Sequence, residues 1–217
     1  MELTLTDRLT CPRCGPTFGL ILLANRLVDR RVHDGVLGCP NCRDSFPIAD
    51  GFADLRAPPR GELERGLAGP ERVHVAENAG VTDGGGAARV IALLGIPSGP
   101  GTVALVGAPA ALAGALTDAV EDLQVVAVDP DAHGWPERQG VSRLASRPGL
   151  PFFGRVLRGV VVDARLGPAI LFEAARVTAP MSRVVVLYAS QESTEVLRRA
   201  GLEILAEEGE TVVAVRG

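Results

Sequence analysis

The sequence predicts an α/β protein in two parts: an N-terminal β-ribbon built around a metal ion, then a mostly parallel sheet with helices on both faces. Three observations predict it. Four cysteines, the only ones in the chain, stand as Cys11-Pro-Arg-Cys14 and Cys39-Pro-Asn-Cys42, with 24 residues between the pairs. From Gly101 onward, short Val-rich runs alternate with helix-like stretches, the pattern of strands buried on both faces. Between the two regions, residues 56–72 hold three Pro and three Gly, a linker composition. A chain of 217 residues suits one medium domain and one small one. The expected limits are a ribbon over residues 1–56, a linker and entry segment over 57–85, and the sheet domain over 86–217.

Within the ribbon, Gly19–Asn25 and Arg31–Gly38 read as strands, and Asp34-Gly35 is a turn or bulge signal. Ser45–Leu55 reads as a short extended segment. A helix is expected around Gly86–Leu94, with Gly95 as its C-cap. The first sheet strand is Thr102–Val106, followed by a helix over Ala110–Leu123. Strands follow at Val125–Val128, Val141–Ala145 and Gly159–Asp163. A helix over Pro168–Val177 leads to a strand at Arg183–Tyr188. A helix over Glu192–Ala200, stopped by Gly201, leads to two closing strands, Leu202–Ala206 and Thr211–Val215, with Gly209 in their turn. The closing strand–turn–strand adds an antiparallel edge.

Two C-x-x-C pairs at this spacing are the arithmetic of a tetrahedral zinc site of four thiolates. Two residues between thiolates let both sulfurs of one turn reach the same ion, and two such turns complete its shell. A catalytic zinc keeps one position open, and four thiolates leave none, so Cys11, Cys14, Cys39 and Cys42 are expected to hold a structural zinc. Disulfides would need an exported chain. The N-terminus lacks the basic region and apolar core of a signal peptide, so a cytoplasmic location with reduced thiols is expected. A redox site would use one pair rather than two. His33 lies between the pairs and is read as a surface side chain.

The chain is 47% hydrophobic but only 4% aromatic, so its core is expected to be aliphatic. No apolar run reaches about 18 residues, so no membrane span is expected. All 22 basic residues are arginine, which excludes lysine Schiff-base chemistry and a lysine general base. Residues 1–57 balance seven Arg against seven acids, and four thiolates on one dication add about two negative charges. Nucleic-acid binding needs surplus positive charge, so the ribbon alone is not expected to bind nucleic acid. No Gly-x-Ser-x-Gly, P-loop or His-Glu-x-x-His motif is present.

The ribbon resembles the small zinc-ribbon proteins that act as activator subunits of tRNA, rRNA and protein methyltransferases. The residues that carry this are Cys11-Pro-x-Cys14, Asp34-Gly35-Val-Leu-x-Cys39-Pro-x-Cys42, and Phe46-Pro47-Ile48-x-Asp50-Gly51. Residues 86–217 resemble a class I AdoMet-dependent methyltransferase domain, with its Rossmann-like order of strands. Gly149-Leu-Pro-Phe152, Glu173-Ala-Ala-Arg-Val-Thr-Ala-Pro180 and Ala200-Gly-Leu-Glu-Ile204 are similar to phrases of that family.

The resemblance implies an acid-x-Gly-x-Gly-x-Gly loop after the first sheet strand, where glycines let the backbone approach AdoMet. This chain reads Val106-Gly107-Ala108-Pro109-Ala110-Ala111-Leu112-Ala113-Gly114. Only Gly107 stands in the expected place, the acid is missing, and Pro109 removes an N–H donor. A dinucleotide fingerprint is missing as well. Asp129 falls 22 residues after Gly107 at a strand end, where an acid can accept from ribose hydroxyls or simply cap a turn. Asp163 ends a later strand and could face a methyl-acceptor pocket. His133 and Trp135 lie where an adenine could stack or where a loop packs. Gly107 and Asp129 are thus the candidate cofactor residues, and no catalytic residue is assigned.

The expected function is a non-catalytic methyltransferase-like binding or scaffold module with a protein partner. Two alternatives stay open: an active AdoMet-dependent methyltransferase with an atypical loop, and an activator subunit of a separate methyltransferase.

Overall fold

The computed structural model describes residues 1–63 and 84–217. Among these residues, eleven strands form one sheet in the order β1-β2-β3-β4-β7-β6-β5-β8-β9-β11-β10. The first four are β1 (Ile21–Val28), β2 (Arg31–Gly38), β3 (Ser45–Ala49) and β4 (Phe52–Arg56), joined antiparallel as hairpins. The segment expected as one extended run is therefore two strands. Asp50-Gly51 separates them with φ of 46° and 71°, the doubly positive pattern of a tight hairpin turn. The turn between β1 and β2 falls at Asp29-Arg30, also doubly positive. Asp34-Gly35 stays within β2, opposite a bulge between Ala24 and Arg26.

Seven strands complete the sheet: β5 (Gly101–Val106), β6 (Leu123–Val128), β7 (Val141–Arg147), β8 (Leu157–Asp163), β9 (Thr178–Leu187), β10 (Leu202–Glu208) and β11 (Thr211–Arg216). Strands β5 to β9 are parallel, and β11 and β10 close the edge antiparallel. The helices are α1 (Gly84–Leu94), α2 (Ala113–Ala119), α3 (Pro168–Val177) and α4 (Gln191–Arg199). Gly95 ends α1 by donating to Ile91 O at 2.9 Å. The helix expected over Ala110–Leu123 is shorter than its sequence suggests. A 3-10 turn, Ala108–Leu112, precedes α2, whose first residue is Ala113, and Val120 is already extended.

Alternation along the strands divides the core in two. Ala104, Val106, Val126, Val128, Val160, Val162, Val184 and Val186 face one side, with α3 and α4. Val103, Leu105, Val125, Ala127, Val161 and Val185 face the other, with α1 and α2. The ribbon joins this architecture through β4, which pairs in parallel with β7 from Phe52↔Arg143 to Arg56↔Arg147. Its side chains enter the first core: Met1, Leu5, Leu9, Leu37, Phe46 and Leu55 cluster with Leu144, Leu150 and Phe152. The connection from β7 to β8 carries no helix. A 3-10 helix of the ribbon, Leu3–Arg8, lies against it, and Thr10 N donates to Pro151 O at 2.8 Å.

A polar clasp closes the other side of the joint. Arg31, nearly buried, donates to Glu2, to Arg138 O at 2.7 Å and to Val141 O at 3.2 Å. His33, expected at the surface, places Nδ1 3.0 Å from Glu137 Oε1 across the same joint.

A shared core and a shared ladder should melt as one unit. Calorimetry of the full chain is expected to show a single transition, and two resolved transitions would refute the coupling. Phe152→Ala, at the centre of the joint, should destabilise that transition by about 3–5 kcal/mol, measured by denaturant titration.

Candidate metal centre and ligand crevice

Each C-P-x-C turn ends in a backbone hydrogen bond that curls its sulfurs inward. Gly15 N donates to Cys11 O at 2.9 Å, and Arg43 N to Cys39 O at 3.0 Å. The four Sγ atoms lie within 4.8 Å of one another. Cys11 and Cys42 sulfurs are 3.7 Å apart, and Cys39 and Cys14 sulfurs are 3.8 Å apart. A tetrahedral ion with sulfur ligands at about 2.3 Å requires sulfur separations of about 3.8 Å, so the four cysteines are positioned to bind a metal ion. Cys11 and Cys39 are buried, Cys14 and Cys42 half-buried. Two donors reach the sulfurs: Cys14 N lies 3.4 Å from Cys11 Sγ, and Asn41 Nδ2 lies 3.3 Å from Cys14 Sγ.

The second candidate lies at the carboxyl ends of the parallel strands. Strand order reverses between β5 and β8, and a crevice opens there, as in open α/β sheets generally. Its volume is about 660 Å³, within the range of small-molecule sites. Gly107, Asp129, Arg147, Asp163, Arg165 and Leu166 are among the residues that line it. The structure thus brings together both residues expected from sequence, Gly107 and Asp129, on neighbouring strand ends.

Their surroundings are specific. Gly107 has a φ of 76°, and a Cβ there would sit 2.9 Å from Leu166 Cδ1 and 3.0 Å from Asp163 Cβ. The space over Gly107 is therefore occupied by the chain's own side chains. Asp129 is 2% exposed, and its Oδ1 accepts from Asp131 N at 2.8 Å, capping the 3-10 turn Pro130–Gly134. Asp163 accepts from Arg165 three times: from its N–H at 3.0 Å, from Nε at 2.9 Å and from Nη2 at 2.6 Å. The Arg165 guanidinium stacks 3.8 Å from the centre of the Tyr188 ring, and the Asp163 hydrogen bonds raise its pKa. Burial pushes the Tyr188 phenol up as well. Tyr188 itself adopts a left-handed φ of 56°, a strained conformation for a bulky residue.

Arg165, Leu166 and Tyr188 were not legible as site residues. The one local signal is the spacing Asp163-Ala-Arg165, which lets the arginine fold back onto the strand-ending acid. His133 turns away from the crevice, with Nδ1 3.1 Å from Pro130 O and its ring edge-on to Phe52. Trp135 packs against the core on the far side. Among the described residues, no helix is long and apolar enough to cross a membrane.

No protein-family model and no curated protein sequence matches the chain. Solved structures share its fold. One is from the complex between the Haloferax volcanii Trm112 methyltransferase activator and a methyltransferase; it is 17% identical, covers 72% of this chain and 98% of that one, and has a TM-score of 0.51. Another, described as an S-adenosyl-L-methionine-dependent methyltransferase from Methanococcus maripaludis, is 14% identical over 74% of this chain and 96% of its own, also with a TM-score of 0.51. The fold is thus methyltransferase-like.

Replacing one ligand leaves three thiolates facing an incomplete shell. Purified wild-type protein should carry one equivalent of metal by elemental analysis. Cys39→Ser should lose it and lower the melting temperature. Metal-free wild-type protein with an unchanged melting temperature would refute a folding role for the metal.

Proposed function

We propose that this chain is a non-catalytic binding or scaffold protein with a methyltransferase-like fold, stabilised by a structural zinc in its own ribbon. The observation that carries this reading is the packing of Leu166 and Asp163 onto Gly107. In this fold the cofactor depends on close approach to the loop after β5. Here that approach is filled, Pro109 removes a donor, and Ala108 and Ala110 add side chains where glycines would leave room. Four soft sulfur ligands with tetrahedral separations favour zinc, and a closed four-thiolate shell favours a structural role. Binding of such an ion contributes to folding, by about 10–16 kcal/mol in zinc-finger peptides.

The partner of a scaffold of this kind would be a protein. The ribbon's β4 edge is engaged by β7 of the same chain. This favours a ribbon that serves its own sheet over one that activates a separate methyltransferase.

A second reading, an active AdoMet-dependent methyltransferase with an atypical loop, is favoured by one observation. A crevice of about 660 Å³ persists at the switch point, with Asp129 on its wall. Calorimetric titration of the zinc-loaded protein with AdoMet, and with its demethylated product, separates the two. No heat up to millimolar ligand is expected. Micromolar binding would overturn the non-catalytic reading; Asp129→Ala should then weaken it about tenfold or more, as expected for a lost hydrogen bond to a charged acceptor.

A further inference from the structure

The sheet ends in two edges, and they are built differently. Strand β10 carries Glu203, Glu207 and Glu208 along one of them, and charges of one sign discourage pairing with a further strand. Strand β1 forms the other edge among the described residues, with β2 as its one strand neighbour. It is eight residues long, holds no Pro, and carries one charged residue, Arg26. That charge is met inside the chain, where Arg26 Nε donates to Asp34 Oδ2 at 2.6 Å. Nine large apolar side chains are exposed among the described residues, and five of them, Phe18, Ile21, Leu23, Leu27 and Val28, lie on β1 or just before it. An apolar cluster on an unpaired strand edge marks a contact surface.

The register with β2 fixes the faces of β1. Leu22 pairs with Leu37 and Leu27 with Val32, and both partners belong to the core, so Leu22 and Leu27 share the core face. Ile21, Leu23, Arg26 and Val28 take the opposite face. Strict alternation would separate Leu23 from Arg26, and the irregularity at Asn25 brings them to one side. The strand therefore matches itself. In an antiparallel two-fold pairing centred between Ala24 and Asn25, Ile21 meets Val28, Leu22 meets Leu27 and Leu23 meets Arg26, each on a matching face. No like charges meet. A slip of one residue would set Ile21 of the outer face against Leu27 of the core face.

We propose that β1 docks a second copy of this chain, edge to edge, as an antiparallel two-fold pair that makes the two sheets continuous. The match of the strand to itself singles out a second copy, because a foreign strand would need no such symmetry. Pairing of β1 with β10 of another copy would not close and would grow into an open filament. An interface one strand long sits at the low end of interface sizes, so a reversible dimer with a micromolar Kd is expected. The inference stands apart from the reading of the crevice: AdoMet binding there would overturn the non-catalytic assignment and leave this one untouched.

The test is sedimentation velocity of the metal-loaded full chain at rising concentration, with two variants of one residue. In the proposed register Leu23→Lys places an ammonium opposite Arg26 of the second copy, twice per dimer, and Leu23→Glu places a carboxylate there. Both variants lose the same leucine contacts, and Leu23 is 64% exposed, so both should melt with the wild type when dilute. The lysine variant should dimerise about tenfold more weakly than the glutamate variant. The chain has a net charge of −4, so non-specific association would favour the lysine variant instead. Leu205→Lys, on β10, should leave the dimer unchanged. A monomer at every concentration, growth beyond a dimer, equal Kd for the two Leu23 variants, or loss of the dimer in Leu205→Lys would each overturn the proposal.

Discussion

Five residues of parallel pairing hold this molecule together as one object. Strand β4, Phe52–Arg56, lies along β7, Arg143–Arg147. Because side chains alternate across a strand, this ladder delivers Ala53 and Leu55 to the core that contains Leu144, and Phe52 to the small cluster with Ala145. Both faces of the joint are therefore packed. The four antiparallel strands of the ribbon are held at both ends, by the cysteine turns at one and by the sheet at the other. The place where a helix would cover the β7–β8 connection is taken by the ribbon's own Leu3–Arg8.

The same joint shapes the crevice. Its wall from Ser146 to Leu150, the end of β7 and the connection after it, is braced from the ribbon side. Ala57 N donates to Arg147 O at 2.9 Å, and Arg147 Nη2 donates to Pro59 O at 3.2 Å. On the α3 side, Arg176 donates to Leu150 O and Phe152 O, and Glu173 accepts from Leu150 N. The segment that borders the crevice thus depends on hydrogen bonds from both halves of the chain. A stable ribbon is in this sense a requirement for a shaped crevice, whatever the crevice holds.

Two buried polar groups of the sheet present contrasting electrostatics. In the crevice, Asp163 and Arg165 satisfy each other and Asp129 caps a turn, so its buried charges are already engaged in local structure. On β7, the buried Arg143 has Nε–H without a hydrogen-bond partner, while the Glu137 and Asp50 carboxylates act on its charge through space. At a strand end the backbone turns and a carboxylate can meet the next N–H groups. In mid-strand the ladder consumes the backbone groups, and the Arg143 guanidinium donates to carbonyls of other segments, at Ala132, Trp135 and Asp50.

The four-cysteine cluster, the α/β class and most strand positions were legible in the order of residues alone. The reason is that each depends on local pattern: ligand spacing for Cys11 to Cys42 and runs of Val for β5 to β9. Helix α2 was overread, since Ala-rich composition favours a helix while Pro109 and the early return to β6 confine it to seven residues. How the halves meet, and which side chains fill the site, emerges only when the sheet assembles. The β4–β7 ladder joins residues about 90 positions apart, and backbone pairing carries no residue-specific signature that reveals a partner at such separation. Leu166 over Gly107, Arg165 on Tyr188, and Arg143 beneath the 130–138 segment arise from the same cause. Each is a meeting of side chains from different elements, and their chemistry depends on burial and distance, which exist only once the sheet is assembled.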